Sequence, residues 1–220
     1  MPTNKSGNDA FYDNHVSELN AQYLSVKAED VHEAWQIKLT CDLLSLHYDW
    51  IHVDIMAGDT KTPEYLAKNA AGKIPLLELD DGRFLSESNA IINFLAHKTS
   101  LLPSDPYALA QVQQWQFFEQ YSHEPFIAVA RFINKYLGMP KERKAEYEKL
   151  QAGGHKALRL MESQLGKTQY IAGDKLTTAD ISLYAYTHVS DEGGFDLASY
   201  PNIQAWLKRI EAHPHYSAMS

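Results

Sequence analysis

Residues 71–96 read AGKIPLLELDDGRFLSESNAIINFLA, and the fold turns on how that stretch is parsed. Two short alternating runs, 76–79 and 83–86, flank Asp80-Asp81-Gly82, which suits a tight turn because glycine takes φ > 0 at little cost. The pattern predicts a β-hairpin. Beyond Glu87-Ser88 the apolar residues Ile91, Ile92 and Leu95 fall on one face of a helix, and Ser86 and Ser88 offer hydroxyl caps at its start. A helix start exposes unpaired N–H groups at the positive end of the dipole, so this one suits a carboxylate. Upstream, Pro75 opens the first strand, where its missing N–H leaves one backbone edge free. On residues alone, the stretch fits either a ligand-receiving helix end or a plain ββα unit with a capped helix.

Working back from it, residues 21–26 (AQYLSV) predict a strand and 48–55 (YDWIHVDI) a second one. Between them, 31–46 predicts a helix whose apolar positions Ala34, Ile37, Cys41 and Leu44 recur near the helical period. Thr62 as cap and Pro63 as first residue open a short helix through Lys68, and Gly72 closes the segment. The order is βαβαββα. Strands flanking the first helix should run parallel through a right-handed crossover, and the last two should pair antiparallel, which is the thioredoxin-like arrangement.

Forward of the opening stretch, residues 101–106 (LLPSDP) interrupt helical periodicity with two prolines and read as a linker. The expected class is α/β plus all-α. A polar extension covers 1–20, a thioredoxin-like domain 21–98, a linker 99–105 and a helical bundle 106–220. Within the bundle, 107–136 is one long helical stretch with a break or kink at Pro125, whose missing N–H and ring disturb the turn before it. Gly153-Gly154 weakens an amphipathic helix at 141–165 and admits close approach of another backbone. Thr177-Thr178-Ala179-Asp180 is a capping box before the apolar run ISLYAY, and 201–213 forms a last amphipathic helix.

Composition narrows the class. With 220 residues, 45% hydrophobic and 22% charged, the chain can bury real cores without staples. A net charge of −8 argues against a nucleic-acid footprint, which needs a basic surface. A single cysteine, Cys41, excludes an intrachain disulfide and any two-cysteine redox motif; it fits a reducing compartment, so the cytoplasm is the expected location. Its helical position makes it a core residue rather than a nucleophile. The first twenty residues lack the basic start and apolar run of a secretory signal. No stretch approaches the ~18 apolar residues of a membrane span. The histidines form no compact ligand set, so no metal is expected, and neither a phosphate loop nor a Gly-x-Ser-x-Gly elbow is present.

The Ile74-Pro75 pair, the hairpin and Glu87-Ser88 resemble the thioredoxin-like half of the glutathione transferases. The tracts QWQFFEQYSHEPFIAVARF (114–132), YIAGDKLTTADISLYAYTHVSDEGGFDL (170–197) and YPNIQAWLKRIEAHP (200–214) resemble the helical half of bacterial members. The resemblance runs from Gln22 to the C-terminus. It implies a transferase that joins the sulfur of glutathione to a small hydrophobic electrophile, a detoxifying reaction, with glutathione as substrate and no metal. It implies that Pro75 follows a cis bond, that the Ile74 backbone pairs with the cysteinyl part of glutathione, and that Glu87 and Ser88 hold its γ-glutamyl end. Lys73 would meet the glycyl carboxylate. The long helix would face the second substrate with Phe117, Tyr121 and Glu124, His123 lying on another side. A homodimer is implied as well.

One place departs from that family. Members of this kind carry a serine at the start of the first helix whose hydroxyl donates to the glutathione sulfur; counting back from Ile37-Lys38-Leu39, Val31 stands there, and residues 27–30 lengthen the loop before it. A thiol of pKa ~8.5 is only a few per cent thiolate at neutral pH, and valine cannot raise that fraction. Candidates to replace the serine are Ser25 at the strand end, His32 as a cation, or the N–H groups of the helix start. Ser25 also fits a hydroxyl bonded to local backbone, and His32 a solvated imidazole. Glu29, Asp30 and Glu33 oppose thiolate formation by charge. A second expectation therefore stands beside the first: a binding or assembly protein of this fold that has lost the chemistry. A glutathione-dependent reductase or peroxidase ranks below both, because it lacks the usual active-site cysteine.

Overall fold

The computed structural model describes the backbone of residues 21–25 and 32–218, and side chains from Ala34 to Ala218. The extension at 1–20, the loop with Val31, and the side chains of Ser25, His32 and Glu33 lie outside the described residues. Contacts divide the chain at Leu95/Ala96 into two compact units.

The first unit runs β1 (Ala21–Ser25), α1 (His32–Leu43), β2 (Tyr48–Ile51), α2 (Pro63–Lys68), β3 (Leu76–Glu78), β4 (Phe84–Ser86) and α3 (Ser88–Leu95). Its sheet has the order β2-β1-β3-β4. β1 pairs parallel with β2, β3 antiparallel with both β1 and β4, and the register sets Leu76 opposite Ser86. Gly82, at φ 81, turns the hairpin and donates to the Leu79 carbonyl at 2.9 Å. α1 stops at Leu43, short of the expected 46, because Ser45 takes φ 53 and Leu46 N–H bonds back to the Cys41 carbonyl at 2.9 Å, a Schellman-type end. β2 likewise ends at Ile51 and not at 55. Asp54 Oδ1 takes the Ala57 N–H at 2.9 Å and Asp59 Oδ2 takes the Asp54 N–H at 2.8 Å, so side chains compete with the ladder for the backbone. α2 begins as its sequence requires: Thr62 Oγ1 accepts from Tyr65 N–H at 3.2 Å.

The second unit is helical: α4 (Pro106–Phe118), α5 (Glu124–Arg131), α6 (Lys144–Leu165), α7 (Thr178–Thr187) and α8 (Pro201–Glu211). α4 packs on α7, and α6 on both α5 and α8. Leu101 is buried, and its carbonyl accepts from Thr178 N–H at the start of α7 at 3.0 Å. The long stretch is disturbed in the turn before Pro125: it widens into a π turn at Glu119–His123, with Glu124 N–H reaching the Glu119 carbonyl, which makes room for a residue that has no N–H and a bulky ring. The capping box forms, and Asp180 does more than cap. Fully buried, its carboxylate accepts from Thr177 N–H and Oγ1 (both 2.9 Å), Ile171 N–H (2.7 Å) and Trp206 Nε1 (2.9 Å).

Gly153 and Gly154 admit aromatic rings, where the sequence suggested a second backbone. A Cβ on Gly154 would lie 2.3 Å from the Phe195 ring, and one on Gly153 2.1 Å from the Phe126 ring. Phe195 is fully buried and has nowhere to go, whereas Phe126 is half-buried. Gly154→Ala should therefore cost stability despite gaining about 1 kcal/mol of helix propensity, since overpacking costs about 1–3 kcal/mol. A net loss of about 1–2 kcal/mol in urea melts is expected, with Gly153→Ala the milder of the two.

Candidate functional site

The hairpin register places the candidate residues. Because Leu76 lies opposite Ser86, the chain leaving the ladder brings Ile74-Pro75 and Glu87-Ser88 out at the same end of the sheet. β1 ends there too, with Ser25 paired to Leu76. α2 and the residues that flank it pin the approach to that end: Tyr65 Oη, on α2, and Nδ2 of Asn69, just past it, donate to the Lys73 carbonyl at 2.7 and 2.8 Å, and Lys61 Nζ, before it, to the Gly72 carbonyl at 2.7 Å. Sequence reasoning missed Tyr65 and Asn69, which carry no motif. The Ile74-Pro75 bond is cis. The Ile74 side chain packs against Val53, Tyr65 and Leu76, and its N–H and C=O make no hydrogen bond among the described residues.

Across the end of the sheet, Glu87 turns the corner from β4 into α3 at φ 72. A non-glycine residue in that region carries strain, which structures retain where the corner is used. Glu87 is exposed and has no cationic partner among the described residues; Lys73 is likewise exposed and has no anionic partner among them. Ser88, the first residue of α3, is only 6% exposed, and its hydroxyl finds no partner among the described residues. A carboxylate, a buried hydroxyl, a free peptide unit and the first-turn N–H groups of α3 thus share one end of the sheet. They match a zwitterionic, peptide-like ligand: donors for its carboxylate, Glu87 for its ammonium, and the Ile74 backbone for an extended main chain.

Other candidates fall elsewhere. Phe117 and Tyr121 are exposed, at 64% and 79%, and Glu124 is half-buried, its Oε2 accepting from Gln120 Nε2 at 3.2 Å. The π turn at Glu119–His123 inserts an extra residue, so the helical spacing does not run unbroken from Phe117 to Glu124. His123 is fully buried, with Nε2 2.9 Å from Thr187 Oγ1, and burial holds its pKa down at about 3. Gln116, Glu119 and His123, three and four residues apart, are all buried polar groups, a feature that the sequence reading did not single out. Cys41 is buried, and loss of solvent with Asp42 beside it pushes its thiol up to about 12, so it is inert core. Among the described residues no group of His, Cys, Asp and Glu could hold a metal, and no helix is long and apolar enough to cross a membrane.

A family model for the glutathione S-transferase N-terminal domain matches residues 33–98, and one for the C-terminal domain matches residues 117–214. The glutathione S-transferase-like protein LUC7 of a Fusarium species is 34% identical over 166 residues, covering 70% of this chain and 73% of its own. The crystal structure of a glutathione S-transferase from Pseudomonas fluorescens superposes with a TM-score of 0.87 at 56% identity, covering 90% of this chain and 98% of that one. A glutathione transferase homolog from Drosophila mojavensis, solved with bound glutathione, gives a TM-score of 0.74 at 30% identity over 88% of this chain and 89% of its own. With both domain models matched in order on one sheet-and-bundle chain, this protein belongs to the glutathione S-transferase family.

Proposed function

We propose that the chain binds glutathione at the sheet end and transfers its sulfur to a small hydrophobic electrophile. The observation that carries this reading is the uncommitted set at that end: the Ile74 peptide, the Glu87 carboxylate and the nearly buried Ser88 hydroxyl, none spent on another partner among the described residues. In this assignment Ile74 pairs with the cysteinyl main chain, Glu87 takes the γ-glutamyl ammonium, Ser88 and the α3 N–H groups take the adjacent carboxylate, and Lys73 meets the glycyl carboxylate. The thiolate attacks the electrophilic carbon, the leaving group departs with its electron pair, and the thiol proton passes to solvent. Holding the two reactants together supplies much of the rate. Phe117, Tyr121 and Glu124 are assigned to the second substrate, and Ser25, His32 or the α1 N–H groups to the sulfur. The acting unit is proposed to be a homodimer, which sedimentation would check.

Calorimetric titration with glutathione, beside a conjugation assay with a chlorodinitrobenzene, tests the reading. Ser88→Ala removes a hydrogen bond to a charged group, worth about 1.5–3 kcal/mol, so glutathione affinity should fall about tenfold to a hundredfold with the fold intact. No glutathione binding by the parent chain would remove the assignment. A second reading, a glutathione-binding protein without turnover, is favoured by Val31 at the place where resembling members carry serine. Binding without conjugation would select it.

A further inference from the structure

α2 is only six residues long, and Tyr65 is its one buried residue. Its core is Val53, Tyr65 and Leu76, with Ile74 packed against them. Beside them lies a cavity of about 220 Å³, within the first unit, whose apolar lining is Ile51, Val53, Tyr65 and Leu76. Carboxylates outnumber ammonium groups three to one in the rest of the lining: Asp59, Glu64 and Glu78 against Lys68. Lys68 is already committed, with Nζ 2.7 Å from Glu78 Oε2 and 5.3 Å from the centre of the Phe84 ring. Asp59 spends one oxygen on the Asp54 N–H, and neither Asp59 nor Glu64 has a cationic partner among the described residues.

We propose that this cavity binds a small lipophilic cation, an aromatic or alkyl ammonium. The apolar body sits on Val53, Tyr65 and Leu76, with the ammonium toward Glu64 and Asp59; the Tyr65 ring adds a cation–π surface. Drug-sized ligands occupy about 300–1,000 Å³, so a space of about 220 Å³ selects a fragment of one ring and one charged head. Tyr65 also holds the Lys73 carbonyl, and Ile74 packs on the same residues, so an occupant is felt at Ile74. Only the consequence of that for glutathione affinity rests on the glutathione reading.

Amide chemical-shift titration of the full chain, without glutathione, tests the site with benzyltrimethylammonium and its uncharged counterpart neopentylbenzene. Saturable shifts at Val53, Tyr65, Ile74 and Leu76 are expected with the cation, and weaker binding of the neutral compound. Glu64→Gln should weaken the cation two- to fivefold, about the worth of one exposed charge pair, and Ile51→Trp should abolish binding by filling the space. Equal affinity for the neutral compound, an unchanged affinity in Glu64→Gln, or shifts that miss these residues would overturn the proposal. A glutathione titration on the same sample separates the two readings, since its failure leaves the cavity shifts in place.

Discussion

Asp180→Ala should lower the unfolding free energy by about 3–5 kcal/mol, several times the ~1 kcal/mol of an ordinary cap. The carboxylate takes four donors from three separate places: the α7 start, Ile171 before it, and Trp206 on α8. Alanine would leave all of them buried and unpaired, and each such group costs about 1–3 kcal/mol with imperfect additivity. Burial opposes this, raising the Asp180 pKa against the pull of those same donors, so the charge is held at a cost and the net loss is less than the sum. Against a total of about 5–15 kcal/mol the loss is large. Urea melts with an unchanged slope would register it. Asp180→Asn should fall between: one oxygen still accepts from Ile171 and Trp206, while its NH2 group faces the Thr177 donors. A loss of only about 1 kcal/mol in Asp180→Ala would show that the cap alone matters. Glutathione affinity, assigned to the other unit, should hold wherever the variant is folded.

The capping box shows what was legible. Thr177-x-x-Asp180 before an apolar run announced a helix start, because the box is local and its four residues carry the whole signal. That Asp180 would also tie in Ile171 and Trp206 was not legible, since those bonds depend on how distant elements pack. The same division holds across the chain. The βαβαββα order, the α2 cap and the hairpin turn were readable from periodicity and turn residues. The early ends of α1 and β2 were not, because Ser45 and the Asp54/Asp59 side chains act through backbone geometry that has no period. At the candidate site, Glu87-Ser88 was found by motif, and its exit beside Ile74 follows from hairpin register. Tyr65, on the short helix α2, and Asn69, the residue that ends it, pin the Lys73 carbonyl, a tertiary role that left no mark in the sequence.

Acid should destabilise the helical unit through His123. The imidazole is fully buried, with Thr187 Oγ1 on Nε2 and no hydrogen-bond partner on Nδ1 among the described residues, and burial lowers its pKa from 6.5 to about 3. Between those values the unfolded chain binds a proton that the folded chain refuses. Stability from this group is therefore complete above 6.5 and falls as pH drops toward 3, at up to about 1.4 kcal/mol per pH unit. His188, lowered mainly by burial as well, acts in the same sense. Asp180 acts in the opposite sense just above 3.8, since its raised pKa makes the folded state take a proton first as pH falls. Comparing the parent chain with His123→Gln cancels these shared contributions. Glutamine keeps a polar group for Thr187 but cannot titrate, so the variant should start less stable near neutrality and lose less on acidification. The gap between the two should narrow by about 2 kcal/mol from about pH 6 to about pH 4 in urea melts. Parallel pH profiles would mean that His123 is protonated in the folded state as readily as in the unfolded chain, and its burial would then not control the acid limb.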